Sequence, residues 1–363
     1  MKSTRALFLA ACAVPFVLLL AGCGRDKPGK VVVPPPAPEA ALLMPPSDLH
    51  HFTYPTRQTR LTDTNFAGVY QPTASGNPES GTYGSVRLGN YGKLILPRFH
   101  EGIDIAALDR DARGRPLDEV FAATHGKIAM INRTAGNSDY GLHLVLLHED
   151  PVGTFYTLYA HLASIDPALK AGHTVEPGAR LGVMGNSALD PIPMSRAHLH
   201  FEIGLIANDR FLSWPDLPRA KPPGGLYNGQ NLWGLNPIRV FRDIETTGRH
   251  TTLLEHIQRT PVAVEFGVRL NKTPDFFRRH PALWSGPTSF TGPAVISVSE
   301  GGVPLGGRPA TEDEIARLGR QAKAVLRVDE SELGRNGRRL AVKRNGEWEI
   351  GSNGDAWLSL LLY

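Results

Sequence analysis

Cysteine is nearly absent from this chain: Cys12 and Cys23 are the only two in 363 residues. A disulfide framework is therefore excluded, and stability must come from an apolar core, with a bound metal as a further support. Long apolar runs are missing as well. The longest covers residues 6–20 and contains Pro15, whereas a helix needs about 20 apolar residues to cross a bilayer. Charge is nearly balanced, with 39 Lys and Arg against 35 Asp and Glu, which is not the signature of a nucleic-acid-binding protein. Internal repeats are absent, and residues 61–241 carry no long apolar stripe of period 3.6, which argues against an all-helical fold. What the chain does have is 38 glycines and 30 prolines spread along its length, the mark of many short strands joined by turns. Its length leaves room for two domains.

The first 22 residues read as a processing signal. Lys2 and Arg5 form a basic start, the apolar run follows, and Leu20-Ala21-Gly22-Cys23 resembles a bacterial lipobox. That resemblance implies cleavage before Cys23, lipidation of Cys23, and a chain anchored to a membrane of the cell envelope. Gly24, rather than Asp, after the lipidated cysteine is compatible with the periplasmic face of an outer membrane where the organism has one. Cleavage would leave 37 Lys and Arg against 35 acidic residues, and Cys23 as the one remaining cysteine. Residues 23–60 form a linker rich in proline, with Pro34, Pro35 and Pro36 in a row. Such a stretch favours polyproline II, a semi-rigid spacer of about 3 Å per residue. Order is expected from near Thr53.

Over residues 61–242 short β-segments alternate with turn signals. Strands are predicted at 127–132, 142–148, 154–159, 180–183 and 199–205, and residues 206–236, lacking periodicity, are expected to form a long ordered loop. The texture changes over residues 243–363. There the pattern predicts a helix at 251–258, a strand at 262–268, and a helix to about residue 322 opened by the capping box Thr311-x-x-Glu314. Strands at 324–328, 340–343 and 356–361 would follow. The fold class expected is mainly β: an antiparallel sheet domain followed by a small α+β domain.

The chemistry rests on histidines and one aspartate. His100-Glu101-Gly102-Ile103-Asp104 gives His-x-x-x-Asp, Tyr159-Ala160-His161-Leu162 adds a third group, and His198-Leu199-His200 gives His-x-His. On a strand alternate side chains share a face, so His198 and His200 point one way and Leu199 and Phe201 point into the core. His100 and Asp104 are also an even number apart, and Gly102 with Ile103 and Ile105 favours an extended path. Two imidazoles and a carboxylate suit Zn²⁺, which is catalytic when three protein ligands leave one position for water. A lone His-x-His is more often a packed surface pair, and so is a lone His-x-x-x-Asp; the combination is what carries weight. The helical zinc motif His-Glu-x-x-His is excluded, because position 104 is Asp and Gly102 weakens a helix.

The strings FHEGIDI, TLYAHL, VEPGARLGVMGNSA and AHLHFEI, in this order, resemble the lysostaphin/LytM-type zinc metalloendopeptidases, which hydrolyse peptidoglycan. The likeness covers about residues 84–205, the core of the segment 61–242. It implies one zinc ion held by His100, Asp104 and His200, with His161 and His198 as the catalytic histidines. It implies peptidoglycan stem peptides as substrate and metal-assisted hydrolysis of their cross-links. In that chemistry one of His161 and His198 takes a proton from water and the other stabilises the developing oxyanion. The alternative is a non-hydrolytic LytM-type regulator that binds the wall and activates other hydrolases, with residues 62–90 covering the site.

The remaining histidines, among them His125, His143, His148 and His173, are expected to be structural, with none on the metal. The basic group Arg335, Arg338, Arg339, Lys343 and Arg344 reads as a solvated face. Trp214, Tyr227 and Trp233 either line the cleft or pack.

Overall fold

The structure is a computed structural model that describes residues 46–91, 94–190, 192–217, 222–247, 250–335 and 338–363. The expected signal, Cys23 and most of the proline-rich linker lie outside the described residues. Ordered packing begins earlier than Thr53. The Ser47 side chain caps a short 3₁₀ turn, Asp48–His51, and Leu49 is buried.

In chain order the first elements are strands β1 (Val86–Tyr91), β2 (Leu94–Phe99), β3 (Ile103–Ala106), β4 (Glu119–Phe121) and β5 (Gly126–Asn132). Next come β6 (His143–Asp150), β7 (Gly153–Ala160), β8 (Leu162–Ile165), β9 (Thr174–Val175), β10 (Arg180–Met184) and β11 (His198–Ile206). The five strands predicted over residues 61–242 are all present, each within two residues of its expected bounds. They form an antiparallel sheet in the order β12-β11-β7-β6-β5-β9, in which β12 is Leu232–Leu235, and a smaller sheet β4-β10-β8. Strand β12 corrects the expectation of loop throughout 206–236. Its four residues are all buried and pair with β11 from Ile203 to Ile206. A strand that short, interrupted by Gly234 and flanked by Asn231 and Asn236, offers too little alternation to be read.

Strand β11 is the hinge of the architecture, buried along its whole length. Its odd residues face apolar cores: Leu199 and Phe201 pack with Ile103, Ile105 and Leu144, while Ile203 and Leu205 pack with Phe155 and Trp233. Its even residues His198, His200 and Glu202 face the other way, beside a small cluster of Val145, Tyr156, Leu158 and Ala160. The period of two expected at this strand is thus what separates core from site.

The C-terminal part adds helices α1 (Pro237–Thr247) and α2 (Leu253–Arg259), strand β13 (Val264–Leu270), helix α3 (Asp275–Arg279) and strands β14 (Gly292–Val298) and β15 (Pro304–Pro309). It ends with α4 (Glu312–Leu318), β16 (Lys323–Val328), α5 (Glu330–Leu333), the hairpin β17 (Ala341–Arg344) and β18 (Glu347–Ile350), and α6 (Ser352–Leu362). Helix α4 is opened by the Thr311 capping box as expected but stops at Gly319, whose φ of 57° ends it before residue 322. Helix α6 corrects the strand expected at 356–361. Its buried residues Gly354, Trp357, Leu358 and Leu361 recur at helical spacing, a pattern that a short apolar run conceals. None of the described helices is long and apolar enough to cross a membrane.

The described residues form one compact unit, and its largest apolar cluster runs across residue 242. Trp233 stacks on Trp357 of α6, with ring centroids 5.1 Å apart. The buried carboxylate of Asp150 accepts hydrogen bonds from the Ser47 hydroxyl at 2.5 Å and from the N–H groups of Leu253 and Leu254 at 2.8 and 3.0 Å. One side chain thereby ties the N-terminal segment, the β6–β7 hairpin and the start of α2 together.

Two buried histidines play a similar part. His148 donates from Nδ1 to the His125 carbonyl and accepts at Nε2 from the Thr157 hydroxyl, as expected of a structural residue. His280 donates to the Val152 carbonyl at 2.8 Å. Burial pushes both imidazoles from an ordinary pKa of 6.5 down to about 4, so they are neutral in the fold. The unfolded chain takes up protons below pH 6.5 while the folded chain does so only near pH 4, so stability is complete above 6.5 and falls between these values. Thermal denaturation of the metal-free protein should show a midpoint that drops from pH 7 to 4.5, with a smaller drop in His148→Gln. A flat profile in both proteins would contradict this account.

Candidate metal centre

The pairing of β3 with β11 sets Asp104 directly opposite His200, and on the far side of β11 the partner of His200 is Ala160, the residue before His161. His100 arrives from the end of β2 through Glu101 and Gly102. Gly102 is needed for this approach: a Cβ there would stand 2.4 Å from the Phe201 carbonyl oxygen and 3.0 Å from His200 Cε1. All five residues singled out from sequence are thereby brought into one cleft. The imidazole centroids of His100 and His200 are 5.0 Å apart, those of His161 and His198 are 4.9 Å apart, and those of His161 and His200 are 5.8 Å apart.

Three donor atoms face one another. His100 Nε2 lies 3.1 Å from Asp104 Oδ1 and 3.1 Å from His200 Nδ1, and His200 Nδ1 lies 3.0 Å from Asp104 Oδ1. Ligands about 2.0–2.1 Å from a tetrahedral Zn²⁺ sit about 3.3 Å apart, so this triangle needs only a slight opening. The three residues are 2–6% exposed, and together they could hold a metal ion. His198 Nε2 is 3.3 Å from Asp104 Oδ1 yet makes no hydrogen bond, a buried nitrogen left facing the same point. The donor set and this orphaned atom fit a divalent ion.

Which nitrogen carries the proton follows from the partners, because a carbonyl or carboxylate oxygen can only accept. His100, His161 and His198 each donate from Nδ1 to a main-chain carbonyl, of Thr82 (2.8 Å), Ser187 (2.8 Å) and Arg196 (2.7 Å). Their Nε2 lone pairs are thus free for the cleft. His200 is reversed: Nε2–H donates to Glu202 Oε1 at 2.8 Å, which leaves Nδ1 for the metal. Glu202 is itself held by the hydroxyls of Tyr140 (2.8 Å) and Tyr156 (2.9 Å). Asp104 is divided in the same way, with Oδ1 toward the histidines and Oδ2 accepting from Arg87 Nη2 at 2.5 Å.

His161 stands between two sheets, after β7 and before β8, with a φ of 61° that a non-glycine residue adopts at a cost of about 1–3 kcal/mol. Its own N–H bonds the Tyr140 carbonyl at 2.9 Å, and its ring bonds Ser187, whose hydroxyl in turn donates to the Leu162 carbonyl. The strained turn aims the imidazole into the cleft.

The electrostatics follow from burial and neighbours. Burial, then the Arg87 charge, pushes His100 down to about 4. Burial together with His198 and His200 holds His161 well below the ordinary value. For His200 burial works downward but is outweighed by the hydrogen bonds to Asp104 and Glu202, which raise it to about 9. Burial alone would raise Asp104, but Arg87, His198 and His100 hold it well below the usual carboxylate range.

Glu202, Tyr140, Ser187 and Arg87 are positioning groups not foreseen from the sequence. The signal for Glu202 was available, since it continues the even face of His198 and His200. His143 is buried and bonded to the Gly141 carbonyl, outside the ligand triangle as expected. Trp233 packs in the core rather than lining the cleft. Because outer-shell partners typically tune metal affinity by about 10–100-fold, Glu202→Gln should weaken zinc binding by that factor in a chelator competition titration. Unchanged affinity would mean that Glu202 does not set the His200 ring.

Comparison with known proteins bears on the same segment. Residues 98–210, which hold all five site residues, match the model of Peptidase family M23. Similar solved structures include a zinc-containing peptidase from Vibrio cholerae, at 22% identity over 37% of this chain and 35% of that one, with a TM-score of 0.23. The catalytic domain of the antimicrobial peptidase lysostaphin from Staphylococcus simulans shares 23% identity over 34% of this chain and 76% of its own, with a TM-score of 0.24. A mutant catalytic domain of the prophage-encoded M23 protein EnpA from Enterococcus faecalis shares 21% identity over 43% and 85%, with a TM-score of 0.26. The chain thus spans about a third of the length of the Vibrio protein. No curated protein matches it significantly. Identities and TM-scores this low carry no functional argument, so the family match, with the ordered motifs inside it, places the domain. Residues 98–210 are thus the part of the chain that is similar to Peptidase family M23.

Proposed function

We propose that this chain is a zinc-dependent endopeptidase that hydrolyses peptide cross-links of bacterial peptidoglycan, held in the cell envelope by a lipid on Cys23. The observation that carries the reading is the convergence of His100 Nε2, Asp104 Oδ1 and His200 Nδ1, with two further imidazoles in the same cleft. Zinc bound there would acidify a water molecule and polarise the scissile carbonyl. The protein's own groups supply the proton handling. His161 and His198, each fixed through Nδ1, present Nε2 as a proton acceptor, and the depressed pKa of His161 keeps it neutral and available at pH 7. One of the pair would take the water proton, and the other, having taken up a proton from solvent at Nε2, would donate a hydrogen bond to the developing oxyanion. Burial of the ligands excludes bulk water and strengthens each of these interactions.

One observation favours the second reading, a wall-binding regulator without hydrolysis. Arg87, from the β1–β2 hairpin that precedes the ligands, covers Asp104 and lies against His100. Sacculi left intact by zinc-loaded protein would favour that reading.

The proposed hydrolysis predicts that mature protein releases free peptide amines from isolated sacculi, that a chelator stops the release, and that added zinc restores it. His161→Ala should retain zinc and lose about 10²–10⁴-fold in turnover. Release that persists in chelator would rule out the zinc mechanism.

A further inference from the structure

The basic group expected to form a solvated face does not stay together. Arg335, Lys343 and Arg344 pair at the surface with Glu332, Glu330 and Glu349, but Arg338 turns inward, its side chain 18% exposed. Its Nη1 donates to Oε1 of Glu101, the residue between His100 and Gly102. The other oxygen of Glu101 is buried and has no hydrogen-bond partner among the described residues, so Arg338 is the group that satisfies this carboxylate.

The slot that receives Arg338 is built from distant parts of the chain. The guanidinium lies over the Phe99 ring, 5.1 Å from its centroid, and Phe99 in turn packs edge-on with Tyr83 at 5.2 Å. Tyr83 donates its hydroxyl to the Gly234 carbonyl of β12 at 2.8 Å. Gly301 must lack a side chain, because a Cβ there would stand 1.7 Å from the Tyr83 hydroxyl oxygen. The backbone of Arg338 is fixed in turn: Asn353, in the first turn of α6, donates to its carbonyl at 2.6 Å.

We infer that Arg338 is a positioning residue of the metal centre, so that the C-terminal part of the chain is built into the site rather than appended to it. The His-x-x-x-Asp segment is held from two sides. On the inner side Gly102 sits against β11, next to His200 and Glu202. On the outer side the Arg338–Glu101 pair fixes the residue adjacent to the first ligand. A buried ion pair is a poor source of net stability but a directional one, and breaking it leaves a buried carboxylate that must be rehydrated, which moves the segment carrying His100. The inference rests on reading His100, Asp104 and His200 as zinc ligands.

The test measures the zinc dissociation constant of the full chain by competition with a chromogenic chelator, with circular dichroism as the check on folding. Arg338→Met and Glu101→Gln should each weaken zinc binding about 10–100-fold. The double variant should be no worse than the weaker single one, because the two residues act as one unit. Arg338→Lys should restore part of the affinity. A purely structural pair would lower the melting temperature and leave the dissociation constant of the folded protein unchanged, and that result overturns the inference. Should Arg338→Met fail to fold, Glu101→Gln decides, since it keeps the side-chain volume while removing the charge that holds Arg338; unchanged affinity there also overturns it. Wild-type protein that binds no zinc would instead remove the metal reading, and the inference with it, whereas zinc lost in His200→Ala but unaffected in both pair variants removes the inference alone.

Discussion

The antiparallel pairing of β3 with β11 is the constraint on which the rest depends. It places Asp104 across from His200, which no local sequence preference could do, because 95 residues of chain lie between them. Once that register is set, the period of the strand decides everything else on β11. Leu199, Phe201, Ile203 and Leu205 enter two apolar clusters, while His198, His200 and Glu202 line the cleft. A slip of one residue would turn Leu199 and Phe201 toward the cleft and bury the imidazoles in hydrocarbon. Core packing and site geometry are therefore the same fact seen from the two faces of one strand.

Around that register the protein arranges hydrogen bonds so that each ring has one assigned task. Main-chain carbonyls, which cannot donate, fix three histidines with Nε2 toward the cleft. A carboxylate clamped by two tyrosines fixes the fourth in the opposite sense. These partners sit on different segments: the Thr82 loop, the Ser187 turn, the Arg196 turn and the even face of β11 itself. Burial makes the arrangement exacting. His100, Asp104, His198, His200 and Glu202 are buried, so a partner lost there would leave an unsatisfied polar atom beside the ligands.

The strand pattern of the central sheet was legible in the sequence, and so were His100, Asp104 and His200, which converge as a possible metal site, because each depends on local alternation or on short spacings. The capping boxes at Thr252 and Thr311 show the same local logic. Other features were hidden for physical reasons. Strand β12 is four residues long and acquires its identity from β11, and α6 is a short apolar run whose helical period competes with a strand reading. The partners of the histidines are mostly backbone carbonyls, which carry no residue signature at all. Arg338 was misjudged because a basic cluster gives no sign of which member finds a buried acid more than 230 positions away. The continuity of the core across residue 242 is equally a tertiary fact, since Trp233 and Trp357 meet only after folding.

The central claim is that two imidazoles and one carboxylate share a metal ion and leave a place for solvent. X-ray absorption spectroscopy on zinc-loaded protein addresses it directly, because imidazole rings give a scattering pattern that can be counted. The account predicts one zinc per chain in a four-coordinate shell of nitrogen and oxygen at about 2.0–2.1 Å, with two imidazoles in that shell. Three or four imidazoles, or a shell closed entirely by protein ligands, would contradict it.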